Sequence, residues 1–192
     1  MVGFLRFIDI FNAAVWVGGS VFFSFLAGSV FFSPEVKQFT PPPYNGLVAQ
    51  AMLERFFLLH YICGGVALGQ LFAEWLVKRG PFPKRQTVLL GILLGLALLG
   101  GKWISPKLTV WHQQKHEFQI KTEGAPPMIE SKAFSNEVRQ DAKLKFSIWH
   151  GISQTMNLIM LIMLIWRFWK LANPVSSQAQ TYVQTKRNLF SE

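Results

Sequence analysis

Four histidines and one run of polar residues are the side chains whose type and spacing could support chemistry. His112 and His116 stand four residues apart, on one face if that stretch is helical. A pair of neutral imidazoles at this spacing can chelate a transition ion. His60 and His150 each lie a few residues inside a long apolar segment, so together they could act as axial or direct ligands in a haem- or metal-binding redox protein. The text HQQKH lacks the glutamate that zinc proteases carry after the first histidine, so metal-assisted hydrolysis has no general base in its expected place. Flanked by Lys115 and Glu117, the same pair also reads as the solvated face of an amphipathic helix. His150, Ser153, Gln154 and Asn157 form a second polar set, a stripe with helical spacing.

Asn157 falls near the middle of its apolar segment, where an unpaired amide is most costly, so it must face protein or a water-lined cavity. An interhelical hydrogen bond satisfies that need and contributes ~0.6 kcal/mol, seldom above ~2. The alternative is a polar site for a small solute, an ion or a proton. No catalytic residue is assigned. Cys63 is the only cysteine, which excludes an intrachain disulfide and a Cys-rich metal site. Gly18-Gly19 lacks the spacing of a nucleotide loop and sits inside an apolar run, and no nucleophile triad or carboxylate cluster is present. The pattern requires no cofactor; haem or a transition metal belongs to the histidine alternative.

The elements that hold these residues follow from composition. Charged residues make up 15% of the 192-residue chain and hydrophobic residues 51%, with Phe alone occurring 18 times. Soluble domains carry about 25% charge and could not bury so much apolar surface. Charge is also segregated, with long stretches free of it and most of it in the connections. Four spans are expected, at about 7–32, 53–77, 87–105 and 146–169, because ~20 helical residues cross the hydrocarbon core. Pro34 and Pro41-Pro42-Pro43 end the first, Lys78-Arg79-Gly80-Pro81 closes the second, and Pro106 marks a kink or restart after the third. The first apolar run extends too far for a cleaved signal peptide and is expected to stay as a span.

Small residues four apart, Gly65 with Gly69 and Gly91 with Gly95, are expected to let helices approach closely. Residues 107–145 read as an extramembrane link with amphipathic helices that lie on the bilayer surface, broken at GAPPM. Residues 171–192 read as a polar tail with a short helix near Tyr182–Phe190. Asp9 lies one helical turn from Arg6 and is expected to meet it at the inner boundary.

The formal charge of +9 is accounted for by cations flanking the spans, not by nucleic-acid binding. Lys78, Arg79, Lys84 and Arg85 crowd the second link, and Arg167, Lys170, Lys186 and Arg187 the C-terminal part. The positive-inside bias therefore puts both termini in the cytoplasm, within a bacterial inner membrane.

Three segments carry a family resemblance. LRFIDIFNAAVWVGGSVFFSF in the first span, AMLERFF leading into the second, and the Phe146, His150-Gly151, Ser153 and Asn157-Leu158 pattern in the fourth resemble the TMEM-205-like family of uncharacterised membrane proteins. The resemblance covers roughly residues 4–166. It implies a four-span membrane domain with an elongated region after the third span, highlights His150 and Asn157, and assigns neither a catalytic job.

The reading is an all-α integral membrane four-helix bundle over residues 1–170, with an amphipathic helical extension after the third span. The expected role is structural or accessory and more in keeping with a non-enzyme. Its partners are the lipid bilayer and a homo-oligomer or larger membrane complex. The rivals are a haem- or metal-binding redox protein using His60 and His150, and a small-solute or ion transporter with a polar site at Asn157.

Overall fold

A computed structural model describes residues 2–78, 80–121 and 128–173. The first span, Gly3–Phe31, starts as helix α1 (Val2–Val21), passes through a π-helical stretch at Phe22–Ala27 and finishes as α2 (Gly28–Phe31). Ser33 then caps a short helix, α3 (Pro34–Phe39), by accepting from the Val36 N–H at 3.3 Å, while Pro34 fills a first-turn position that needs no donor. Helix α4 (Tyr44–Lys78) is the second span. The third joins α5 (Lys84–Leu98), a second π-helical stretch at Leu99–Ile104 and α6 (Ser105–His116). Helix α7 (Asn136–Ala172) is the fourth, capped by Ser135.

Pro106 does not break the third helix. It sits in the first turn of α6, directly after the wider π turn, where its missing N–H and its ring clash with the preceding turn are absorbed. Glu117 ends α6 in the left-handed conformation, at φ 55°, and its N–H returns to the Gln113 carbonyl.

The four long helices alternate in direction. Asn12 meets Cys63, Trp16 meets His60 and Phe23 stacks on Phe56, so α4 runs antiparallel to the first span. Tyr61 reaches the Ala97 carbonyl and Gln50 bonds Thr109, which sets the third span antiparallel to α4. Asp9 pairs with Arg167 and Ser24 with Asn157, which sets α7 antiparallel to the first. The ring closes through contacts of α7 with α5 and α6. Its core is Trp16, Cys63, Ala67, Leu90, Leu93, Ala97, Met160 and Leu164. Outward, Phe4, Phe7, Phe11 and Phe25 stay about 60% exposed, a surface that lipid covers and water would not tolerate. The described residues thus form an all-α membrane bundle of four long apolar helices, with one short helix and a hairpin added.

That hairpin differs from the expected link. Strands β1 (Phe118–Lys121) and β2 (Met128–Ser131) pair antiparallel, Phe118 opposite Ser131, and the Lys132 N–H closes the ladder on the Glu117 carbonyl. Elsewhere in 107–145 the helices are continuous with the spans: α6 continues the third to His116, and α7 begins at Asn136, ten residues before the expected fourth span. Backbone hydrogen bonds run more cheaply along an unbroken helix than through a new cap at the membrane edge, which favours the continuation. Helix α4 likewise starts at Tyr44, not near residue 53. The break at GAPPM and the tail helix near Tyr182–Phe190 fall largely or wholly outside the described residues.

Candidate functional site

The first span carries a polar residue on nearly every turn of one face, and the other helices answer it. At one end Arg167 donates to Asp9, an ion pair whose side chains are 10% and 16% exposed. Asp9 thus meets Arg167 on the far side of the sequence, in place of the local Arg6 contact expected. One turn up, Asn12 donates to the Cys63 carbonyl at 2.9 Å. Next, the Trp16 indole N–H donates to His60 Nδ1 at 2.5 Å, and Ser20 returns its hydroxyl to the Trp16 carbonyl. Farther along, Asn157 donates to the Ser24 hydroxyl at 2.9 Å.

The Trp16 contact fixes the state of His60. A nitrogen that accepts cannot carry the proton, so the ring is the neutral tautomer with its hydrogen on Nε2. His60 is 1% exposed, and Phe56 stands edge-to-face with it at 4.4 Å. Its Nε2 has no hydrogen-bond partner among the described residues, nor have Gln70 Oε1, Asn157 Oδ1 and Arg167 Nη1.

A second cluster lies at the end of the bundle opposite the start of α1 and the end of α7. His112 packs its ring on Gly46 of α4, so close that a Cβ there would lie 2.3 Å from the imidazole Nε2. His116 is 4.7 Å away between ring centroids, Phe118 of the hairpin 5.5 Å and Phe146 of α7 5.8 Å. His150 stacks on the other side of that arrangement, against Phe146 at 5.6 Å, and shares a 3.0 Å hydrogen bond with Gln154. Lys115 places its ammonium 5.1 Å over Phe146. On α3 nearby, the Glu35 carboxyl is held below the usual carboxylate range by a backbone amide and the Ser33 hydroxyl.

The histidines therefore divide. His60 belongs to the inner seam, and His150 to the end cluster with His112 and His116. His60 contacts Trp16 and Phe56, whereas His150 contacts Phe146 and Gln154, and among the described residues no group of three or more His, Cys, Asp or Glu side chains could hold a metal ion. The stripe on α7 divides too. Asn157 turns inward to Ser24, His150 and Gln154 bond each other on the outside, and Ser153 is half-buried.

Gly65, Gly69, Gly91 and Gly95 are all exposed, and a Cβ on any of them would meet nothing within 4 Å. Helix crossings inside the bundle use other glycines. Gly64 lies against Leu94 and Trp16, and Gly100 and Gly101 lie against Phe57. Sequence reasoning missed the seam on the first span, although Asp9, Asn12, Trp16, Ser20 and Ser24 recur every three or four residues, the signal that marks one helical face.

Neither the curated proteins nor the solved structures include a match to this chain. The family described as a domain of unknown function, DUF4149, matches residues 11–117, which hold most of the first span and the whole of the next two. The match covers more than half of the chain, and the chain belongs to that family.

Proposed function

We propose that this DUF4149 chain is an accessory membrane domain without a reaction of its own, holding a rigid four-helix frame within a larger assembly or a homo-oligomer. The narrower TMEM-205-like relationship, which rests in part on the fourth span beyond the family match, belongs to the same proposal. The observation that carries it is the pairwise use of polar groups. Asp9, Asn12, Trp16 and Ser24 each engage a different residue at a different depth, which fixes helix register without building a convergent reaction centre.

The four-cation link and the cationic C-terminal part support termini in the cytoplasm of a bacterial inner membrane, with the His112 end facing outward. Extracted from its own membranes in mild detergent, the chain is expected to migrate in an assembly larger than one copy. Harsher detergent should release a monomer that keeps its helicity. Stoichiometric haem or metal in the purified chain would overturn this reading.

A second reading is favoured by the partnerless Asn157 Oδ1 and His60 Nε2, which offer one acceptor and one donor inside the bundle. They support a small-solute or ion path past Asn157. Flux in reconstituted vesicles that disappears on Asn157→Leu would establish that path in place of the accessory role.

A further inference from the structure

Helix α7 sets the membrane's position on the molecule. Trp149 and Trp169 lie about 20 residues apart, a rise of ~30 Å, which equals the hydrocarbon thickness. Indoles prefer the two interfaces, so these tryptophans mark them. Trp103 packs on Trp149 with ring centroids 5.2 Å apart and therefore lies at the same outer level. Along the third helix Trp103, Lys107, Trp111 and Lys115 recur at every fourth position, a ladder facing the groove between α6 and α7.

Lys107 is the rung that matters. Its ammonium sits 3.7 Å from the Trp103 ring centroid and 5.9 Å from that of Trp149, and no carboxylate pairs with it among the described residues. The side chain leans back along the helix, so the ammonium stays at the level of the Trp103 ring, where the hydrocarbon meets a headgroup layer ~5–7 Å thick. Trp103 is 45% exposed, so the groove is open to lipid. Lys115, two rungs on, holds its ammonium over the Phe146 ring instead, 5.1 Å from its centroid. Lys145 of α7 is already bonded to Asp141 at 2.7 Å.

We propose that Lys107, seated on Trp103 and Trp149, is a binding site for the phosphate of an anionic phospholipid at the end of the bundle that carries the hairpin. The aromatic bed orients the ammonium and excludes water beneath it. The charge meets the headgroup, and the acyl chains descend along the exposed faces of the third and fourth spans. This site needs only the membrane placement, not the accessory role.

The test uses the full chain in phosphatidylcholine vesicles, titrated with phosphatidylglycerol or phosphatidylcholine brominated near the headgroup end of the acyl chains. Tryptophan quenching reports contact. The wild-type chain should prefer the brominated phosphatidylglycerol roughly fivefold, the effect of one lysine at an anionic surface. Lys107→Gln should lose that preference and Lys107→Arg keep it, each with unchanged helicity in detergent. Equal quenching by the two lipids, or a preference that survives Lys107→Gln, would overturn the assignment. So would inorganic phosphate that abolishes the preference at constant ionic strength, because the site would then read a soluble anion. Should Lys107→Gln fail to fold, wild-type chain titrated at rising salt decides the matter. The preference must fall with screening, and one indifferent to salt refutes an electrostatic site.

Discussion

Asp9 and Arg167 are joined across 158 positions of sequence, and each is expensive to bury alone. Asp9→Asn should destabilise the bundle by about 3–5 kcal/mol, because it leaves a mostly buried guanidinium without its counter-charge. Replacing both with leucine should recover most of that loss, since no uncompensated charge remains. Thermal unfolding in detergent, run on the two single variants and the double, would separate the pair from its members. Trp16→Phe should cost less, ~0.6–2 kcal/mol, by withdrawing one interhelical donor from His60. At this scale Asn157 was legible, because an amide at mid-span has to face inward. The ion pair was not. A carboxylate near a span end has a cheap local answer in Arg6, and no spacing rule links it to a residue three helices away. Trp16 was hidden for a different reason: an indole reads as packing, and its single donor draws no attention until an acceptor is placed opposite.

Helix faces were the hardest feature to read. In a soluble protein the apolar stripe marks the buried side, but lipid is as apolar as a protein core, so both faces of a span look alike. Glycines four apart accordingly gave the motif without the direction. Gly100 is where a side chain has no room, since its Cβ would lie 2.7 Å from the Phe57 ring and 2.9 Å from the Met156 methyl. Gly100→Leu should lower stability by about 1–3 kcal/mol, the usual cost of overpacking. Gly65→Leu and Gly91→Leu should change it by less than ~0.5 kcal/mol, as open surface positions do. Differential scanning fluorimetry of the purified variants would compare them. Equal losses at all three would mean that Gly65 and Gly91 also lie in a packed contact. The hairpin escaped sequence reading for a related reason. Four-residue strands such as Phe118–Lys121 show too little alternation to compete with a helical period.

Over the whole molecule, the number of spans and their order were legible because ~20 uncharged residues have few other uses. Their extent was not, since hydropathy stops at the headgroups while a helix can continue into water. Helix α4, the third span and α7 run 35, 33 and 37 residues, or ~50–55 Å, so each must project well beyond a ~30 Å core. The projecting ends gather with α3 and the hairpin on one side, and the start of α1 and the end of α7 lie on the other. This geometry makes a test of both topology and orientation. With Cys63 replaced by alanine, single cysteines at Gln38 and Gln86 flank one crossing, α4, and both positions are exposed. A membrane-impermeant maleimide should therefore reach position 38 in intact spheroplasts and position 86 only after permeabilisation. The reverse pattern would keep the bundle but invert it, and the positive-inside argument would fall. Labelling of both from one side would mean that α4 does not cross. Its polar partners Asn12 and Trp16 would then have no reason to be spaced through the depth of a bilayer.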